Sequence, residues 1–211
     1  MIVWWRAVIL LCCILSCVDS FAPFRVLQSS KYKNSFRLAR STRTHVQLLL
    51  KKYKEQHLGN KHFEDRSQQL KNLPLLSTDF YSWLNMTDWE RLHTAFRDMQ
   101  VYWKMLEWKR MQLEKEEKEG MVVRSTLPPS IKHIQLDLRD LMSQVSSQMS
   151  HMKSSWVKPT SPTVWSPLEA EASSKTVWDS RVEGYIILRD LDLYLTKVAR
   201  DFLLLATKAH L

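Results

Sequence analysis

The chain is nearly without glycine, with 3 in 211 residues. An all-β fold built on tight turns needs many more, so that class is excluded. Cysteine is equally scarce: Cys12, Cys13 and Cys17 are the only ones. No disulfide can join two residues beyond position 17, although small secreted domains usually carry such staples. The same stretch offers no thiolate zinc site and no cysteine nucleophile. Long apolar runs are missing as well. Nothing after the first twenty residues approaches the roughly 18 apolar residues of a membrane span. There is no Walker loop, no glycine-rich dinucleotide turn, no His-Glu-x-x-His zinc pattern and no nucleophile elbow around a serine. No cofactor, no metal site and no catalytic residue is expected, and a protein that acts by binding is.

What is present suits a single folded domain. The chain is 45% hydrophobic, enough for a core at this length. "MIVWWRAVILLCCILSC" carries one positive charge, Arg6, then an apolar run from Ala7 to Leu15, then small residues at Ser16, Cys17 and Ser20. The run is too short to span a bilayer core of about 30 Å. Residues 1–20 read as a secretory signal peptide cut near Ser20, leaving 21–211 as an extracellular domain. The formal charge is +9, and its excess gathers early, at Arg25, Lys31, Lys33, Arg37, Arg40, Arg43, Lys51, Lys52 and Lys54. In the cytosol such a cluster would suggest nucleic acid. Outside the cell it suits heparan sulfate or an acidic receptor face. A solvated helix face is the plainer alternative.

Four segments have the spacing of amphipathic helices. Their apolar positions are Phe36, Ala39, Val46, Leu50 and Tyr53, with Arg43 interrupting; Trp89, Leu92, Phe96, Met99, Trp103 and Leu106; Ile131, Ile134, Leu138, Leu141, Val145 and Met152; and Leu188, Leu191, Leu195, Val198, Phe202, Leu205 and Ala209. Gly59 and Gly120 stand where left-handed C-terminal caps belong. Thr87 with Glu90, and Ser180 with Glu183, have capping-box spacing. Pro128 and Pro129 fit only before or within a first turn. The expected helices are roughly 29–57, 88–118, 130–154 and 179–208. The link near 119–129 is short and joins antiparallel neighbours. Those near 58–87 and 155–178 are long enough to run back along a helix. This predicts an all-α, long-chain four-helix bundle, up-up-down-down, with two long crossovers.

Candidate sites are few. His57 and His62 make a weak metal pair. Asp137, Asp140, Asp190, Asp192 and Asp201 lie on helices among basic neighbours and read as surface pairs. Asn85-Met86-Thr87 is an N-glycosylation sequon just ahead of the second helix, where Thr87 also serves as a cap.

The last segment, "WDSRVEGYIILRDLDLYLTKVARDFLLLATKAH", resembles the final helix of the interleukin-27 alpha-subunit family, in the interleukin-6/interleukin-12 cytokine superfamily. The shared marks are Trp178 seven residues before Tyr185, the Leu191, Leu193, Leu195 run, and Val198, Arg200, Asp201 and Leu203 to Leu205. "IQLDLRDL" and "SFRLARSTRTHV" resemble stretches of that family's third and first helices. The close resemblance covers about a third of the chain beyond the signal. It departs in the third link, rich here in Ser, Pro and Trp where mammalian members carry polyglutamate.

The resemblance implies a subunit that pairs with a soluble receptor-like chain. Together they would engage the interleukin-27 receptor alpha and the shared interleukin-6-family signalling receptor, triggering JAK/STAT immune signalling. It places receptor contact at Trp178 and Tyr185. It places partner-subunit contact at Phe80, Trp83, Lys197, Arg200 and Asp201. The residues themselves give Trp178 no structural reason for its place. A hydrophobic staple from a cap at Asp179 or Ser180 would meet Glu183 or Gly184. An exposed anchor or packing across the bundle end remains, with Trp156 and Trp165 in the same link as possible helpers. A self-sufficient interleukin-6-type cytokine and a heparin- or lipid-binding helical protein are the competing readings.

Overall fold

A computed structural model describes the backbone of residues 2–76, 79–120, 125–152 and 176–209, with side chains from residue 26 onward. The described residues are all-helical and contain no strand. Five helices occur in order: α1 (Ile2–Gln56), α2 (Phe80–Asn85), α3 (Asp88–Lys118), α4 (Leu127–Met152) and α5 (Val177–Lys208). α1 is much longer than expected, because the backbone of residues 2–28 continues the same helix. The short α2 was not expected at all. The third link, with Trp156 and Trp165, lies outside the described residues.

Packing follows the helix faces. α1 packs on α4 and α5, and α3 packs on the same two helices. Neighbours run in opposite directions wherever two tie points fix them. Ser29 Oγ donates to the Ala206 carbonyl and Tyr53 Oη to the Arg181 carbonyl, which orients α1 against α5. Ser35 with Gln144, and His45 with Asp137, do the same for α1 and α4. Arg91 with Asp201, and Lys109 with Ser180, orient α3 against α5. No helix among the described residues is long and apolar enough to cross a membrane.

The buried stripe of α1 is Tyr32, Ser35, Ala39, Thr42, Val46, Leu49 and Tyr53. From Tyr32 onward, steps of three and four alternate, the spacing of a coiled-coil seam, and Ser29 is buried ahead of it. Thr42, not Arg43, continues the stripe; its hydroxyl is satisfied by the Leu38 carbonyl. Arg43 stands beside the seam and donates from Nε to Asp192 at 2.8 Å. The stripe of α4 matches its expected positions except at its end, where Met149 is buried and Met152 is 38% exposed. In α3, Tyr102 lies in the core while Trp89 and Trp103 pack at its edge.

Helix ends obey local chemistry. Thr87 and Glu90 close the expected capping box on α3. Pro128 and Pro129 lie in the first turn of α4, where their missing N–H groups are not needed. Gly59 and Gly120 both have positive φ, as caps of α1 and α3 require. The expected box at Ser180 and Glu183 is not the one used. Thr176 caps α5 and Asp179 answers it, so the cap lies one turn before the expected box and the helix begins at Val177. Ser180 is thereby buried, and its hydroxyl accepts from Lys109 and Gln112.

α5 is the central element. Every residue from Val182 to Leu188 is buried. Its outer side is covered by the link after α1, where Arg189 donates to the carbonyls of Asp65 and Gln68. Leu58 and Leu73 from the same link join the core. Gly184 permits the closest approach, because a methyl group there would overlap the Tyr53 hydroxyl and lie 2.6 Å from Lys109 Cε.

Candidate functional site

Two apolar surfaces stand at opposite ends of α5. The first is built around Trp178, the second helical residue of α5. Trp178 is 49% exposed and Val177 beside it is 64% exposed. The ring is nonetheless braced. Phe63, from the link after α1, meets it edge-on at 6.0 Å between centroids. Phe63 also stands perpendicular to Tyr185 at 5.0 Å. Such edge-to-face pairs add roughly 0.5–1.5 kcal/mol beyond burial.

Tyr185 is not on the surface with Trp178. It is 2% exposed, its hydroxyl accepts from the Asp65 backbone N–H at 3.4 Å, and Lys54 and Arg189 lie over its ring. Tyr185, expected beside Trp178 on the receptor face, is instead buried, and its ring packs on Phe63, which packs on Trp178. The sequence carries no trace of Phe63's part, because more than a hundred positions separate it from its partners.

Beneath this aromatic trio lies a polar layer. Lys109 is buried, and its Nζ donates to the Ser180 carbonyl, the Ser180 hydroxyl and Gln112. Three acceptors thus meet its three donors, the condition for burying an ammonium. His57 stacks on Tyr53 at 5.2 Å. Burial, followed by the charges of Lys109 and Arg181, lowers its pKa to about 4. Burial also raises the Tyr53 hydroxyl, which stays a neutral donor.

The second surface is carried by α2. Asp79 caps this short helix through the Ser82 N–H. Inside, Trp83 Nε1 and Arg91 Nη1 each donate to Asp201 Oδ1 at 2.7 Å. Arg91 Nη2 donates to the Trp83 carbonyl at 2.6 Å, and the guanidinium covers the Trp83 ring at 4.9 Å. This node fixes α2 to α3 and α5. Outside, Phe80, Tyr81 and Leu84 are 62%, 72% and 50% exposed.

The five residues expected at the partner face thus divide. Phe80 and Arg200 are exposed, and Lys197 is half-buried. Asp201 is buried in its ion pair with Arg91, and Trp83 is half-buried against that pair, so these two hold the surface rather than form it. Tyr81 and Leu84 were missed, although their place beside Phe80 becomes legible once a helix is recognised at 80–85. Asp201 and Asp190 are also not the surface pairs they resembled: both are buried against arginines. Burial pushes the Asp98 carboxyl on α3 up to about 6, with Lys197 and Arg97 opposing.

Asn85 is exposed at the last position of α2. Four residues after Tyr81, it stands on the same side of the helix. His57 is buried while His62 is exposed. Among the described residues, one group of three metal-ligating side chains converges elsewhere, at His45, His133 and Asp137. Lys33, Arg37, Arg40, Lys51 and Lys52 line the solvent side of α1.

No protein-family model and no curated protein matches the chain.

Proposed function

We propose that this chain is a secreted four-helix cytokine subunit of the interleukin-27 alpha type. It acts by bridging a soluble receptor-like partner and cell-surface signalling receptors. The observation that carries the reading is the separation of two braced apolar surfaces on one helix. Trp178 and Asp201 are 23 positions apart, about 35 Å along α5. A body with an anchor at each end can hold two partners without their colliding. Tryptophan and tyrosine at such anchors are the residue types that dominate binding energy.

Helix directions support an up-up-down-down bundle. α1 and α3 each oppose α5, and α1 opposes α4. With both α1 and α3 against both α4 and α5, parallel first and second long helices need a long crossover between them. Residues 1–20 serve as the secretory signal in this reading, and Asn85 accepts a glycan. The basic side of α1 favours an added contact with heparan sulfate.

The test is co-expression of the tagged chain with the soluble receptor-like subunit of interleukin-27, followed by analysis of the medium. Partner-dependent secretion and co-purification support the heterodimer. Efficient secretion alone, with no complex, moves the assignment to a self-sufficient cytokine or a heparin binder. Retention of the chain in the cytosol with the first twenty residues intact would sink all three.

A further inference from the structure

We propose that His45, His133 and Asp137 form a zinc site that ties α1 to α4. The proposal does not depend on the cytokine reading. His133 and Asp137 are four residues apart on α4, which places them one turn apart on one face. His45 arrives from α1, and the three ligand atoms all lie within 4.8 Å of one another. His45 Nδ1 and Asp137 Oδ2 are 2.8 Å apart. The two imidazoles meet at 4.8 Å between centroids, with planes 62° apart.

The donor set fits zinc better than other common ions. Zinc takes imidazole nitrogen at about 2.0–2.1 Å and carboxylate oxygen at about 2.0–2.2 Å, in tetrahedral order. Ligand atoms around it are then about 3.3–3.5 Å apart. The trio brackets that spacing, and small side-chain rotations close the difference. Magnesium and calcium prefer all-oxygen sites, which two histidines do not provide. His45 and Asp137 are half-buried and His133 is exposed, so the metal has an entry path from solvent. Three protein ligands leave the fourth position to water.

Such a site has a structural use here. No disulfide can form beyond Cys17. His45 and Asp137 are 92 positions apart, and a clip across so long a loop removes much freedom from the unfolded chain. Zinc binding that requires the folded arrangement of α1 and α4 is folding free energy. Without metal, the same trio is a half-exposed His–Asp pair with a second ring at its edge, contributing about 0–1 kcal/mol.

The experiment uses the purified chain, stripped of metal with a chelator. It is titrated with zinc chloride by calorimetry and with cobalt(II) by visible absorption, and melted with and without zinc. The expected result is one zinc per chain and a Tm that rises with zinc and returns when EDTA is added. His133→Gln and Asp137→Asn should each weaken zinc by at least the 10–100-fold typical of losing an outer-shell partner. His62→Gln and His151→Gln, at exposed histidines outside the trio, should leave binding unchanged. His133 is exposed, so His133→Gln should melt like the parent chain when metal is absent. Three results would each overturn the site: no saturable binding, binding unaffected by both trio variants, or binding lost with His62 or His151.

Discussion

Arg91 and Asp201 form an ion pair at 2.7 Å with side chains 1% and 9% exposed. The same Asp201 oxygen accepts from Trp83, whose carbonyl accepts from Arg91. Both charges are held by hydrogen bonds, and a short helix depends on them.

Breaking that node from one side leaves a buried charge without its counter-ion. Asp201→Ala should cost about 3–5 kcal/mol in denaturant unfolding. Replacing both charges, as Arg91→Met with Asp201→Leu, should recover much of the loss. A double variant as unstable as the single one would show that the hydrogen bonds to Trp83, not the charge pair, dominate.

Trp178 and Tyr185 should separate function from folding. Trp178→Ala should destabilise the fold clearly less than Tyr185→Ala, because about half of the Trp178 side chain is already in solvent while Tyr185 is buried. Trp178→Ala should weaken receptor binding by about 2 kcal/mol or more, some 30-fold. Tyr185→Ala should lower Tm first, because it removes a buried aromatic at about 3–5 kcal/mol. Surface plasmon resonance beside calorimetry distinguishes the two. Equal loss of Tm in both variants would make Trp178 a core residue.

Gly184 tests the closeness of α1 and α5. Gly184→Ala should destabilise by about 1–3 kcal/mol through overlap with the Tyr53 ring, despite alanine's better helix propensity. Shortening the obstruction with Tyr53→Leu should make Gly184→Ala less costly than in the parent, a coupling that a double-mutant cycle measures.

Two buried groups should oppose each other as the medium is acidified. His57 titrates near 4 when folded and near 6.5 when unfolded. Between those values the unfolded chain holds the extra proton, so stability falls as pH falls. Asp98 titrates near 6 when folded and near 3.8 when unfolded. There the folded chain holds the extra proton, so stability rises as pH falls. The parent chain should show a shallow profile from pH 6.5 to 4 in Tm measurements. His57→Gln should become more stable across that window, and Asp98→Asn less stable. Parallel profiles in all three proteins would show that neither group sets the slope.

Much of the helical architecture was legible because long helices announce themselves by period. α3 begins and ends where its capping box and Gly120 predict, and the core face of α4 repeats its spacing almost to the last turn. What failed was local competition. Two capping boxes, Thr176 with Asp179 and Ser180 with Glu183, lie four residues apart at the start of α5. Only the packing of Ser180 against Lys109 decides between them. The six residues of α2 are too few to show a period. The support of Trp178 was hidden because Phe63 reaches it from the link after α1, 115 positions away. Likewise, Asp201 looks like any surface carboxylate until Arg91, 110 positions away, is folded against it.

The partnership of α1 with α5 also fixes an order of events during synthesis. The seam from Tyr32 to Tyr53 leaves the ribosome early, yet its main cover, and the helix that Arg189 uses to hold the intervening link, comes last. About 150 residues separate the end of α1 from the end of α5. At 5–20 residues per second, that leaves the side of the seam that faces α5 uncovered for about 8–30 s. Throughout that interval the nascent chain presents Val46, Leu49 and Tyr53 to whatever chaperone stands nearby. Truncation within α5 should therefore leave α1 as a lasting chaperone ligand rather than as part of a smaller fold.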